Sequence, residues 1–211
     1  MLMLAACGSS PPAPEQAAKT DKAATKQAVP AEGAAAAAAA PVEEPLPPQA
    51  VQQFDQAVVH MSAGDVATAE REFRALADAY PTYSGPLLNL GILQMKAGHF
   101  EDAEKTLRGA VERNANNAQA FNQLGIASRK LGRFKDADSA YQRAVQIDPN
   151  YAIAYLNLGV LCDLYLQQPE RALEAYERYL ALVGAPDEKV TNWITELKKR
   201  LGSEPRAARA Q

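Results

Sequence analysis

The chain has 211 residues, of which 47% are hydrophobic and only 7% aromatic, and its formal net charge is −3. A chain of this length can bury a sizeable core, whereas its slight acidic excess offers no basic surface of the kind that binds nucleic acid. No run of about 18 apolar residues occurs, so no segment predicts a transmembrane helix. Two cysteines are too few for a disulfide framework.

The first seven residues, MLMLAAC, place small residues and a cysteine after an apolar run. Leu4-Ala5-Ala6-Cys7 resembles the lipobox of bacterial lipoproteins, where a peptidase cuts before the cysteine and lipid is attached to it. The resemblance implies that Cys7 is lipidated, and Gly8 after it implies a periplasmic protein anchored to the outer membrane. Only six residues precede Cys7 and none is basic, so we expect the signal segment to begin upstream. The alternative is a cytoplasmic protein in which Cys7 has no role.

Residues 8–49 have low complexity, with eight of the fourteen prolines and an alanine run over residues 34–40. Because they show no apolar periodicity, they cannot bury enough surface to order themselves, and we predict a disordered Ala/Pro-rich tether. A flexible chain of this length spans roughly 35 Å root-mean-square. Behind a lipidated Cys7 it would link a membrane to a folded domain. Residues 203–211 are predicted to be a disordered tail.

From residue 50 onward the sequence repeats with a period of 34 residues. Three ladders share this period: Gly91, Gly125 and Gly159; Gly64, Gly98 and Gly132; Ala69, Ala103 and Ala137. Each unit also carries apolar residues at helical spacing in two segments, so the pattern predicts an array of helix-turn-helix repeats. The predicted repeats are residues 50–83, 84–117, 118–151 and 152–185, within a folded domain of residues 50–202.

The third repeat shows the predicted anatomy most clearly, with helices over residues 118–131 and 134–147. Gly132 follows the first helix, where a left-handed backbone suits glycine, and Pro149 ends the second. Gly125 lies inside the first helix at a cost of about 0.8–1 kcal/mol relative to alanine. We expect it to face the small Ala137, so that the two helix backbones approach closely.

This unit carries Phe121, Leu124-Gly125, Ser128, Ala137, Tyr141, Ala144 and Pro149 at the signature positions of the tetratricopeptide repeat. The chain thus resembles that family over about two-thirds of its length. The resemblance implies an all-α fold, a right-handed α-solenoid of about four repeats, whose concave face binds peptides or protein segments. It implies no catalytic residue, cofactor or metal site, and we predict that the protein is not an enzyme. Neither of the two histidines lies in a cluster with metal-ligand spacing.

A last amphipathic helix is predicted over residues 186–202. Its apolar residues share one face at i, i+3, i+4 and i+7 spacing, and they are Val190, Trp193, Ile194, Leu197 and Leu201. We interpret this segment as a helix that caps the array by packing on the fourth repeat. The alternative for Trp193 is a partner-binding anchor. Cys162 falls at a medium-sized core position of the fourth repeat, which predicts a buried, inert thiol.

The family resemblance also implies which residues line the concave groove. They are Phe54, Val58 and Met61; Leu88, Ile92 and Met95; Asn122, Ile126, Arg129 and Lys130; and Leu156, Val160 and Asp163. Some members of the family clamp carboxylates with an asparagine where this chain has Ile126 and its equivalents, so a clamp of that kind is not expected. The groove instead suits an apolar or amphipathic protein segment. Two alternatives are that some of these residues only pack between repeats, or that a segment of the chain itself covers them.

These observations predict a protein-binding scaffold, held in the bacterial envelope by a lipid anchor and without other membrane contact or nucleic-acid binding. A second hypothesis is an assembly factor for an outer-membrane complex, resembling the repeat-containing pilotins, which have more repeats than the four here. A third is a cytoplasmic adaptor. The identity of the partner and the oligomeric state do not follow from the sequence.

Overall fold

The computed structural model describes residues 46–203, and the predicted lipobox, most of the tether and the tail lie outside them. In this part of the chain the backbone forms nine α-helices and no strands. They are α1 (Pro48–Ala63), α2 (Val66–Ala79), α3 (Gly85–Lys96), α4 (Phe100–Arg113), α5 (Ala118–Lys130), α6 (Phe134–Ile147), α7 (Ala152–Leu164), α8 (Pro169–Val183) and α9 (Glu188–Ser203). None of them is both long and apolar enough to cross a bilayer.

The first eight helices pair in chain order, and the pairs stack as consecutive repeats. Each helix packs on its partner within the repeat and on the next helix of the chain, while α5 also contacts α3 and α7, the first helices of the flanking repeats. The core is therefore a row of small clusters between neighbours, as expected of a quasi-linear array. The predicted all-α solenoid is confirmed.

Local sequence explains where these helices begin and where the chain turns between them. The Asp65 carboxylate accepts a hydrogen bond from the Thr68 amide at the start of α2, and Asn117 caps α5 in the same way. The turns within the first three repeats each contain one left-handed glycine, with φ values of 80° at Gly64, 81° at Gly98 and 74° at Gly132. Glycine is needed there because a side chain would strain the left-handed backbone.

The predicted contact between Gly125 and Ala137 is wrong. A Cβ atom on Gly125 would lie 2.6 Å from Cδ1 and Cε1 of Tyr141, one helical turn beyond Ala137. The same relation recurs between Gly91 and Leu107, at 2.6 Å, and between Gly159 and Tyr176, at 2.5 Å. Glycine therefore makes room for a large buried side chain of the second helix, rather than for close approach of two small residues.

Two carboxylates on second helices join consecutive repeats. Glu104 of α4 is only 4% exposed and accepts hydrogen bonds from Arg108, from Arg133 and from the Ser128 hydroxyl of the third repeat. One repeat later, Asp138 of α6 pairs with Arg171 of α8 at 2.7 Å. A buried carboxylate is tolerated at these interfaces because charge-assisted hydrogen bonds replace its hydration.

The ninth helix caps the array as predicted. Val190, Ile194 and Leu197 are buried in a cluster with Tyr176 of the fourth repeat. The Trp193 ring packs on the Tyr176 ring with centroids 5.3 Å apart, which favours its structural interpretation. The opposite face of α9 is polar and exposed, as a terminal helix requires for solubility.

Candidate protein-binding groove

Two of the predicted groove residues are not accessible to a ligand. Leu88 is 6% exposed and packs among Ala120, Leu124 and Ala127 of the next repeat, and Asn122 is only 1% exposed. Lys130 is exposed, and the other predicted residues are half-buried. In the second and third repeats this position thus serves packing between the first helices of neighbouring repeats.

Three half-buried aliphatic residues occupy one repeat position along the array, Ile92, Ile126 and Val160. Ile92 packs on a cluster that contains Ala120 and Ala127 of α5, and Ile126 on a cluster that contains Leu161 of α7, so each belongs to a core shared with the next repeat. Val160 packs on the cluster that includes α9. All three residues therefore contribute to packing, but each keeps an accessible portion.

Half-exposed amides lie next to this apolar row, and sequence reasoning missed them. Asn89, Gln123 and Asn157 are 34 residues apart, so the repeat period itself was the signal that could have found them. Asn157 Nδ2 donates to Asn122 Oδ1 at 2.9 Å, and Asn122 Nδ2 donates to the Tyr151 hydroxyl at 3.4 Å. These bonds hold Asn122 in its buried place and orient Asn157. Side-chain amides at such positions can hydrogen-bond an extended backbone.

Arg129 is held in place by aromatic rings. Its guanidinium lies 5.8 Å from the centroid of the Tyr165 ring and beside the phenol of Tyr141. Burial alone would lower the pKa of Arg129, but the two phenols outweigh it and raise that pKa. Arg129 Nε and the Tyr141 hydroxyl are buried without a hydrogen bond of normal geometry. Burial also raises the pKa of Tyr141, despite the opposing effect of Arg129.

The charges of the groove are distributed unevenly. Neither Arg129 nor Lys130 forms an ion pair with any carboxylate of residues 46–203. Asp163, the predicted acidic groove residue, pairs instead with Arg200 of α9 at 2.6 Å, and its side chain is 13% exposed. The capping helix therefore neutralises the acid, and the middle of the groove carries unpaired positive charge.

Other reactive groups lie apart from this surface. Cys162 is fully buried, and burial raises the pKa of its thiol to about 11, so the thiolate is scarce at neutral pH. Among the described residues no three His, Cys, Asp or Glu side chains converge as metal ligands. The predicted lipidation residue, Cys7, lies outside the described residues.

Comparison with known proteins gives a family match for part of the chain and a fold for most of it. Residues 88–152 match the model of the tetratricopeptide repeat family. A crystal structure of a MamA protein superposes with a TM-score of 0.64 at 27% identity, covering 72% of this chain and 82% of that chain. PilF of Pseudomonas aeruginosa does so with a TM-score of 0.64 at 20% identity, covering 72% and 69%. A tetratricopeptide repeat protein of Parabacteroides merdae gives a TM-score of 0.61 at 20% identity, covering 72% and 60%. No curated protein matches the sequence.

Proposed function

We propose that this chain, whose residues 88–152 match the tetratricopeptide repeat family, is a non-enzymatic scaffold that holds a protein segment in its concave groove. The observation that carries the proposal is the row formed by Ile92, Ile126 and Val160, which stays half-exposed although each residue also packs on a buried cluster. Half-exposed amides run beside this row. An apolar row beside amides suits a segment that buries side chains and hydrogen-bonds through its backbone.

The ends of the groove indicate the kind of segment. Phe54, Val58 and Met61 are half-buried on α1, and Leu156 and Val160 are half-buried on α7. Methionine at a binding surface adapts to ligands of different shape. These features support an apolar or amphipathic segment that lies along the first helices.

We further propose that the protein works in the bacterial envelope, anchored to the outer membrane through lipidated Cys7. The support is the Leu4-Ala5-Ala6-Cys7 sequence and the low-complexity residues between it and α1. The second candidate is an assembly factor similar to the pilotins, and the third is a cytoplasmic adaptor. Metabolic lipid labelling separates the third from the others, and loss of an outer-membrane oligomer on gene deletion would single out the second.

The groove proposal is tested by photo-crosslinking in cells. A photoreactive amino acid placed at Gln123 or Ile126 should give one defined protein adduct. The matched control is Gln146, an exposed residue on α6, the second helix of the same repeat. If the probe at position 146 gives the same adduct with equal yield, or if neither groove position gives one, the concave surface is not the binding site.

A further inference from the structure

The fourth repeat reverses direction differently from the others. Where the first three repeats use a left-handed glycine, this turn carries one extra residue, and Gln167 adopts a φ of 55°. A side chain on a left-handed residue is strained, so the surrounding structure must hold this conformation. The turn departs from the period of the array just after α7, which is one wall of the groove.

The irregular turn leaves two large side chains at the groove edge. Leu164 is 66% exposed, and it lies 34 residues after Lys130, at the same repeat position. Tyr165 is 41% exposed, and its ring reaches back to the third repeat, where its centroid is 4.7 Å from that of Phe134. Leu164 and Tyr165 thus form a small exposed apolar surface next to the groove, and contiguous apolar surface rimmed by polar groups can mark a binding site.

The same tyrosine contacts Arg129, one of the two unpaired cations of the groove. The Arg129 guanidinium lies against the Tyr165 ring, and it also interacts with the Tyr141 phenol, which limits its freedom further. A guanidinium held in this way loses little conformational entropy when it binds a carboxylate through two parallel hydrogen bonds. Apolar surface and positive charge therefore meet at one place. We call these residues the anchor patch: Arg129, Lys130, Leu164 and Tyr165.

We propose that the anchor patch selects the partner by binding an acidic side chain next to a large apolar side chain. This inference rests on the proposed groove function and names the chemistry of the bound segment. The patch lies on the third and fourth of four repeats, with apolar groove on the side of α1, so a segment lying along the groove reaches it with an internal residue. A side-chain carboxylate of Asp or Glu therefore fits better than a chain terminus. The Arg129 guanidinium on the Tyr165 ring, with Leu164 next to that tyrosine in the chain, suits such a peptide better than a polyanion, while Lys130 Nζ lies 5.9 Å from the centroid of the Phe100 ring.

The test uses a displayed library of random twelve-residue peptides, selected on the full-length protein. The enriched peptides are synthesised, and their dissociation constants are measured by fluorescence anisotropy. We expect them to share an Asp or Glu close to a large apolar residue. Replacing that acid by its amide should weaken binding about 10- to 100-fold, the scale of a charge-assisted hydrogen bond.

Protein variants locate the contact. Arg129→Gln should weaken binding of the acidic peptide about 10- to 100-fold and should hardly affect binding of its amide version. The change in the protein and the acid-to-amide change in the peptide are then coupled. Lys130→Gln should act in the same direction, and Leu164→Ser should weaken binding about tenfold. The matched control is Lys135→Gln, the same charge change at an exposed site on α6, which should leave binding unchanged. Circular dichroism checks that each variant is folded. If Arg129→Gln unfolds the protein, the variants at the exposed residues Lys130 and Leu164 decide whether the patch binds the peptide.

The outcomes separate the inference from the proposed function. Peptides that compete for the groove, and are weakened by Ile126→Ala but not by the anchor-patch variants, would overturn the inference and leave the groove function standing. Peptides insensitive to all of these changes, or a library without binders, would contradict the groove function as well. Binding to phosphatidylethanolamine–phosphatidylglycerol vesicles that Lys130→Gln abolishes, with no acidic peptide recovered, would assign the patch to a membrane instead.

Discussion

Replacing Gly125 by alanine sets two physical effects against each other. In an isolated helix the change stabilises by about 0.8–1 kcal/mol, because glycine loses more backbone entropy. In this protein the new Cβ would lie 2.6 Å from two ring carbons of Tyr141 and 3.0 Å from Cζ. Carbon atoms pack at about 3.5–4.0 Å, so the methyl group overlaps the ring by roughly 1 Å.

The Tyr141 ring has no room to move, since it is fully buried between α5, α6 and α7. Overpacking a core costs about 1–3 kcal/mol, and an immobile ring favours the upper end. After subtraction of the helix term, Gly125→Ala should destabilise the fold by about 2 kcal/mol. For a domain of this size that lowers the melting temperature by about 4–8 °C.

The assay is a double-mutant cycle followed by circular dichroism during urea and thermal unfolding. In a Tyr141→Ala background the ring is gone, so Gly125→Ala should reverse sign and stabilise by about 0.8–1 kcal/mol. The matched control is Gly109→Ala on α4, where the new Cβ would meet only Cδ1 of the half-buried Leu87, at 3.2 Å. That flexible methyl can move aside, so the control should be neutral or stabilising. A stabilising Gly125→Ala in the wild-type background would refute the steric explanation.

Three further predictions concern the interface between repeats, the buried thiol and the anchor. Burial raises the pKa of Glu104, but hydrogen bonds from Arg133 and Arg108 outweigh it and lower the pKa below its ordinary value. Its stabilising contribution is therefore present above the unfolded pKa and is lost as the pH falls through the folded one. Glu104→Gln should lower the free energy of unfolding by about 1–3 kcal/mol at pH 7, and the difference from the wild type should disappear in acid. If urea titrations still show that difference at pH 3, the ionic interface is contradicted. Cys162 should react with iodoacetamide at pH 8 only after unfolding, because a pKa of about 11 keeps the native thiol protonated; fast labelling of Cys162 in the native Cys7→Ser variant would disprove its burial. Cys7→Ser should move the protein from the membrane to the soluble fraction, since stable anchoring takes two or more acyl chains, and unchanged fractionation would argue against lipidation.

The sequence alone determined the repeat architecture, because its signals are local and periodic. The second helix of the third repeat, predicted over residues 134–147, spans Phe134–Ile147, and the first helix ends one residue before its predicted end. Hydrophobic spacing defines a helix face, and Gly132 and Pro149 mark where helices stop. The capping helix was found in the same way, although it begins at Glu188, two residues later than predicted.

The groove was only partly predictable, because a repeat position does not reveal which neighbour covers it. Leu88 and Asn122 stand where family resemblance implies ligand contact, yet Leu88 is buried in a cluster with residues of α5, and Asn122 is buried and hydrogen-bonded to Asn157 of α7. Asp163 is neutralised by Arg200, which lies 37 residues further along the chain. No local sequence pattern encodes these contacts between helices, since they depend on how far one helix is rotated against the next.

Side-chain packing across repeats was decided by the tertiary structure for the same reason. Periodicity shows that Gly125 and Ala137 share an interface, but the crossing of the helices puts the Tyr141 ring against the glycine. The extra residue before α8 is visible in the sequence as a break in the period. That it bends Gln167 into a left-handed conformation and lays Tyr165 over Arg129 depends on contacts with the third repeat, which only the folded array brings together.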